Sequence, residues 1–142
     1  MQTRHGQIDH FSSYGNRDIG GGIDRFWLTG DLRISAVEQF EFLRRLAAGT
    51  LPFSPRAQET GRRISILESA PDYILRGKPG WAKRPDRVDL GWYVGWVERA
   101  GRRWFFALDI DMPKPADAAM RDPIVRAVLK RLGTLPLTTP VP

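Results

Sequence analysis

Two runs rich in aromatic and β-branched residues, Asp89 to Glu98 and Arg102 to Asp109, are separated by only three residues. No other feature constrains the fold as tightly. A turn at Ala100-Gly101 joins the runs as adjacent strands. In the first run Trp92, Val94 and Trp96 share one face, opposite Tyr93, Gly95 and Val97, because side chains alternate along a strand. Tyr73 to Lys78 reads as a strand before them. Residues 71–111 are therefore expected to supply the strands of an antiparallel sheet.

Helices are expected on either side. Ser35-Ala36-Val37-Glu38 is a capping box, in which the Ser35 hydroxyl and the Glu38 carboxylate satisfy free N–H groups at a helix start. Val37, Phe40, Leu43 and Ala47 follow at helical spacing, and Gly49 stops the run. Ser54-Pro55 is a second start signal, with Ala57, Thr60, Ile64 and Leu67 as the expected inner face. Residues 1–70 thus read as loop and helix. Asn16 through Gly22 reads as a tight loop within them, and Ile23 to Leu28 as a return to the core. Asp109 and Asp111 are expected to end the third strand in a turn before Pro113. A last helix over 116–132 would use Met120, Ile124, Val128 and Leu132, with Pro123 in its first turn. Residues 133–142 read as a loose tail. A chain of 142 residues fits one domain, and no internal repeat or second-domain boundary is visible.

Composition excludes several classes of function. The absence of cysteine removes disulfides, thiolate metal sites and thiol nucleophiles. No apolar run approaches the roughly 20 residues of a membrane helix, and the polar start at Met1 has no export signal. The net charge of +6 invites a nucleic-acid reading, but the basic pairs, such as Arg62-Arg63 and Lys83-Arg84, are spread out with acids between them. Nucleic acid is not an expected partner. His5 and His10 make a poor metal site, and Gly20-Gly21-Gly22 lacks the lysine and helix of a phosphate loop. No metal and no cofactor are expected.

The ordered motifs are more specific. Tyr14-Gly15-Asn16, Trp27, Lys78-Pro79-Gly80-Trp81, Trp92 to Glu98 and Trp104 to Asp109 follow one another along the chain. Their order and spacing resemble the C-terminal part of class D (oxacillinase-type) serine β-lactamases, from about Phe11 to Leu132. The resemblance implies an α+β fold of the β-lactamase and penicillin-binding transpeptidase type, an antiparallel sheet with packed helices, here without its N-terminal half. It also implies a β-lactam antibiotic as substrate, opened through a serine acyl-enzyme, in a complete protein that acts in the periplasm and can dimerise.

By that resemblance, Lys78 would sit beside the nucleophile, Gly80 would leave room for the β-lactam, and the backbone N–H of Trp81 would be an oxyanion donor. Tyr14 and Asn16 would line the pocket. Trp27 would correspond to the tryptophan that holds the family's carboxylated lysine; as residues alone, Trp27 also suits a core. Arg121 would pair with the substrate carboxylate through its planar fork, although a solvated helix arginine is the plain alternative. Pro79 departs from the family, which has a threonine or serine hydroxyl at that position. Losing one hydrogen bond to a charged group costs about 1.5–3 kcal/mol of substrate binding.

The nucleophile is missing. No serine here is followed three residues later by lysine, so the family's S-x-x-K motif is absent. Ser35-Ala36-Val37 fits the family's S-x-V only as a string, because it follows Y-G-N instead of preceding it and is explained by capping. These 142 residues alone are therefore expected to be inactive toward β-lactams. Two other readings stand beside the enzyme: a penicillin-binding sensor domain of a β-lactam-responsive receptor, and a functionless remnant.

Overall fold

The structure is a computed structural model that describes residues 34–84 and 86–137. Helix α1 (Ala36–Ala48) starts at the expected capping box. The Glu38 N–H donates to Ser35 Oγ at 3.2 Å, and the Ser35 N–H donates to the Glu38 carboxylate at 2.8 Å. Gly49 ends the helix with a left-handed φ of 71°. Leu43 and Ala47 are buried, but Val37 is exposed and Phe40 only meets Phe105 edge-on. The helix thus seats its C-terminal half most deeply.

Helix α2 (Pro55–Ile64) has the expected Ser54 cap and Pro55 start, but not the expected inner face. Ala57, Thr60 and Ile64 are exposed, and the buried residue is Gln58. Its side-chain amide accepts from the Leu51 N–H at 3.0 Å and donates to the carbonyls of Leu51 and Phe53. The inward group is polar because it closes the backbone of the connection between the helices, whose groups would otherwise be buried unpaired. Leu67 is not helical. It lies in β1 (Ile66–Ser69), a strand absent from the sequence reading.

β1 is followed by β2 (Tyr73–Ala82), β3 (Asp89–Arg99) and β4 (Arg102–Met112), in the antiparallel order β1-β2-β3-β4. Ala100 and Gly101 both take positive φ, 47° and 72°, the two-residue turn whose twist matches the flanking strands. Registered pairing from Arg99↔Arg102 to Asp89↔Met112 carries β4 through Asp109 and Asp111, where a turn had been expected. The alternation in β3 is as read. Tyr93 and Val97 join one core with Tyr73 and Leu75, whereas Trp96 joins Leu43 and Ala47 in a second core on the other face.

A 3-10 turn (Pro115–Met120) leads into α3 (Arg121–Arg131), with Pro123 in its first turn. Val125 and Leu129 face the sheet, while Met120, Val128 and Leu132 of the expected stripe are exposed. The sheet selects the Val125–Leu129 row because polar partners on the same side, described below, fix the rotation of the helix. The start of the supposed tail is also packed. Leu135 is buried in the core, and Thr134 Oγ1 donates to the Leu129 carbonyl at 2.9 Å.

Candidate active site

The segment Lys78–Trp81 lies in the second half of β2. Backbone groups of successive strand residues point to alternate sides. The Gly77 N–H donates to the Ser65 carbonyl at 2.8 Å, and the Tyr73 carbonyl accepts from Ala70 at 2.9 Å, so odd-numbered residues of β2 point away from β3. Pro79 and Trp81 share that direction. The β1 register stops at Arg76, so among the described residues no strand flanks Lys78 to Ala82 on that side. Pro79 sits in the middle of the β2–β3 pairing, opposite Tyr93, without costing it a hydrogen bond. The same parity aims the Trp81 N–H at the open side.

Lys78 is exposed, and its Nζ donates to the Pro79 carbonyl at 2.8 Å. Arg121, the first residue of α3, reaches back 41 positions. Its Nη1 donates to the Gly80 carbonyl and, at 3.4 Å, to that of Trp92, while its Nε donates to Ala118 at 2.8 Å. The stem of Arg121 crosses Gly91, where a Cβ would lie 3.1 Å from its Cδ. Five of the residues singled out in the sequence are thereby gathered at one strand end: Lys78, Pro79, Gly80, Trp81 and Arg121. Tyr14, Asn16 and Trp27 lie outside the described residues, as do His5 and His10. Ser35 is an N-cap, far in role from any nucleophile.

Sequence reasoning missed the clasp that closes the turn from β2 to β3. The Trp81 indole N–H donates to Asp89 Oδ2 at 2.8 Å, and the Arg84 N–H donates to Oδ1 at 3.1 Å. These two bonds, Trp81 first, hold the Asp89 carboxyl below the usual carboxylate range. Arg84 also pairs with Asp111 at 2.8 Å. No string pattern marks Asp89; only the register of β2 against β3 brings it under Trp81.

A polar chain on the same face of the sheet anchors α3 and with it Arg121. Tyr93 Oη donates to Asp122 at 3.0 Å, Arg126 bonds both Asp122 oxygens and Glu68 Oε2, and Tyr73 Oη donates to Glu68 Oε1. Burial and Glu68 push the Tyr73 hydroxyl up to about 12, and burial with Asp122 raises that of Tyr93 as well. The Tyr73 hydrogen bond, helped by Arg126, lowers Glu68. Among the described residues no group of three or more histidine, aspartate or glutamate side chains is placed to hold a metal ion.

Residues 12–130 match the family described as penicillin binding protein transpeptidase domain. The chain is 41% identical over 135 residues to β-lactamase OXA-48 of Klebsiella pneumoniae, covering 95% of this chain and 51% of that one. It is 42% identical over 124 residues to β-lactamase OXA-2 of Salmonella typhimurium, covering 87% and 43%. Among solved structures, the class D β-lactamase FUS-1 (OXA-85) from Fusobacterium nucleatum subsp. polymorphum superimposes with a TM-score of 0.84 at 40% identity, over 90% of this chain and 52% of that one. The class D β-lactamase YbXI from Nostoc gives 0.85 at 43% identity, over 93% and 56%. The chain spans about half the length of the curated relatives it matches.

Proposed function

The chain belongs to the penicillin-binding protein transpeptidase-domain family, and from that premise we propose that it supplies one wall of a class D β-lactamase active site. In the whole enzyme a serine, contributed outside the motifs present here, attacks the β-lactam carbonyl and is freed by water. The open side of β2 receives the substrate. Lys78 supplies positive charge beside the reacting centre, the Trp81 N–H stabilises the oxyanion, and Arg121 binds the substrate carboxylate. Tyr14 and Asn16 line the pocket, and Trp27 holds the lysine of S-x-x-K. The complete protein works on β-lactams reaching the periplasm and so confers resistance.

One observation carries this reading. Arg121 is delivered from another element onto the Gly80 carbonyl, beside a stretch of β2 whose N–H groups face an open side. A strand end used only for folding has no need of a guanidinium brought across two strands.

The test begins with the coding DNA upstream of Met1. An in-frame S-x-x-K is expected, and the protein made from that longer frame is expected to hydrolyse a chromogenic cephalosporin while the 142-residue chain does not. A longer protein that carries the motif but neither binds nor hydrolyses benzylpenicillin refutes the enzyme reading. Stable acylation without release would instead identify a sensor.

A further inference from the structure

The carbonyl that Arg121 grips and the N–H assigned to the oxyanion belong to one peptide group, Gly80–Trp81. No cis peptide bond occurs among the described residues, so this carbonyl and this N–H point in opposite directions. Gly80 registers with Trp92, and even-numbered residues of β2 face β3. The Gly80 carbonyl therefore accepts from the Trp92 N–H along the ladder. It accepts from Arg121 Nη1 as well. Both acceptor positions of that oxygen are thus filled, one of them by a cation. Nη1 also lies 3.4 Å from the Trp92 carbonyl, which places the guanidinium over this one hydrogen-bonded pair. On the other side of the peptide, the Trp81 N–H faces the side where, among the described residues, no strand lies. The Trp81 side chain is tied separately, by its indole bond to Asp89.

We propose that Arg121, beyond any contact with a substrate carboxylate, polarises the Gly80–Trp81 peptide and so strengthens the Trp81 N–H as an oxyanion donor. The proposal rests on the reading of β2 as one wall of the active site. A hydrogen bond to a carbonyl draws electron density from the amide nitrogen and makes the N–H of the same peptide a better donor, and a charged donor does so most strongly. In this role Arg121 is a positioning residue, because it acts through the peptide and does not touch the reacting carbonyl. An oxyanion donor contributes about 100- to 1,000-fold in rate, and cooperative strengthening is about 10–30% per bond. Scaled logarithmically, loss of the polarisation should slow acylation by about two- to eightfold. A simple brace predicts a different pattern. Its removal loosens the strand end, whereas the ladder to β3 and the Asp89 bond would hold that end in place here.

Polarisation is measured first by NMR in the 142-residue chain, without substrate. The unaltered chain should show a scalar coupling across the hydrogen bond, from the Arg121 guanidinium nitrogen to the Gly80 carbonyl carbon. Its absence overturns the proposal without recourse to a variant. In Arg121→Met, base-catalysed exchange of the Trp81 amide should slow, because a less polarised N–H is less acidic, while the Trp92 amide keeps its protection. Unchanged or faster Trp81 exchange overturns the proposal, since faster exchange is what loss of a mere brace produces. In the longer protein, Arg121→Met should slow acylation by benzylpenicillin methyl ester, which has no free carboxylate, by about two- to eightfold. An unchanged rate with the ester means that Arg121 serves only the carboxylate, and it overturns the proposal. A longer protein that no β-lactam acylates refutes the active-site reading and with it the oxyanion role, while the coupling and exchange results still decide whether the peptide is polarised.

Discussion

Replacing Arg126 by methionine tests the account of how α3, and therefore Arg121, is held. Methionine keeps much of the stem and the helix propensity but removes the fork. The loss has two unequal parts. The bond to Glu68 at 2.7 Å joins side chains that are each only 25% exposed, whereas the pair with Asp122 reaches a carboxylate that is 48% exposed. A charge-assisted bond in the first setting is worth about 1.5–3 kcal/mol. The second, an i,i+4 helix pair, is worth about 0.3–0.5 kcal/mol. Glu68 keeps Tyr73 as a donor, so the carboxylate is not stranded, and the net expectation is about 2–3 kcal/mol. In a chain of this size that lowers Tm by about 5–10 °C. Urea denaturation should show a shifted midpoint and an unchanged slope. The penalty should also shrink in acid. Tyr73 and Arg126 lower the folded pKa of Glu68, so this contribution is present above the ordinary glutamate pKa and disappears as pH falls through the folded value. A loss below about 0.5 kcal/mol at neutral pH, or a loss that does not diminish in acid, would refute this account.

Gly95→Ala is expected to prevent folding or destabilise by more than about 3 kcal/mol, because the new Cβ would drive into the Arg76 carbonyl and the Gly77 Cα, backbone atoms that cannot yield; soluble yield and circular dichroism decide it. Tyr73 stays protonated in the fold up to about 12, against about 10 unfolded, so its contribution is complete below pH 10 and is lost as pH rises toward 12. Alkaline denaturation of Tyr73→Phe should lack that component. In the complete enzyme, Pro79→Ser should leave Tm nearly unchanged, since the proline nitrogen faces the open side, and tighten binding of carboxylate-bearing β-lactams by about tenfold or more. Steady-state KM measurements and an acylation titration check this, and an unchanged affinity would mean that Arg121 already satisfies the carboxylate.

Local signals were legible and choices between faces were not. The Ser35 box, the Ser54-Pro55 start and the Ala100-Gly101 turn each depend on a few adjacent residues, and each stands as read. On α3, by contrast, Met120, Val128 and Leu132 repeat at the same interval as the buried Val125 and Leu129. Periodicity finds the helix but cannot say which of two apolar rows meets the sheet. Asp122 and Arg126 decide that, and their partners Tyr93 and Glu68 are distant in sequence. β1 escaped notice because four residues ending in Glu68-Ser69 carry too little alternation to register, and Gln58 because a buried amide breaks the apolar pattern. In the site, Lys78 to Trp81 could be found because they are contiguous. The Asp89 clasp could not, since it exists only through the register of β2 on β3.

Pro79 joins these two levels. A proline within a paired strand ordinarily removes a ladder bond, yet here its nitrogen points to the side where, among the described residues, no strand lies. The fold therefore exerts almost no selection against it, and any cost falls on whatever binds the open side. That side is also where the Trp81 N–H points and where Lys78 is exposed. Arg121 is braced by the carbonyls of Ala118, Gly80 and Trp92, contacts that use its Nε and Nη1 and not its Nη2. A guanidinium fixed in this way loses little further freedom when it meets a carboxylate, so it can carry recognition that a hydroxyl at position 79 would otherwise share. Under the proposed function, the residue that departs from the family's motif is thus one that the sheet tolerates and whose missing hydroxyl Arg121 would offset.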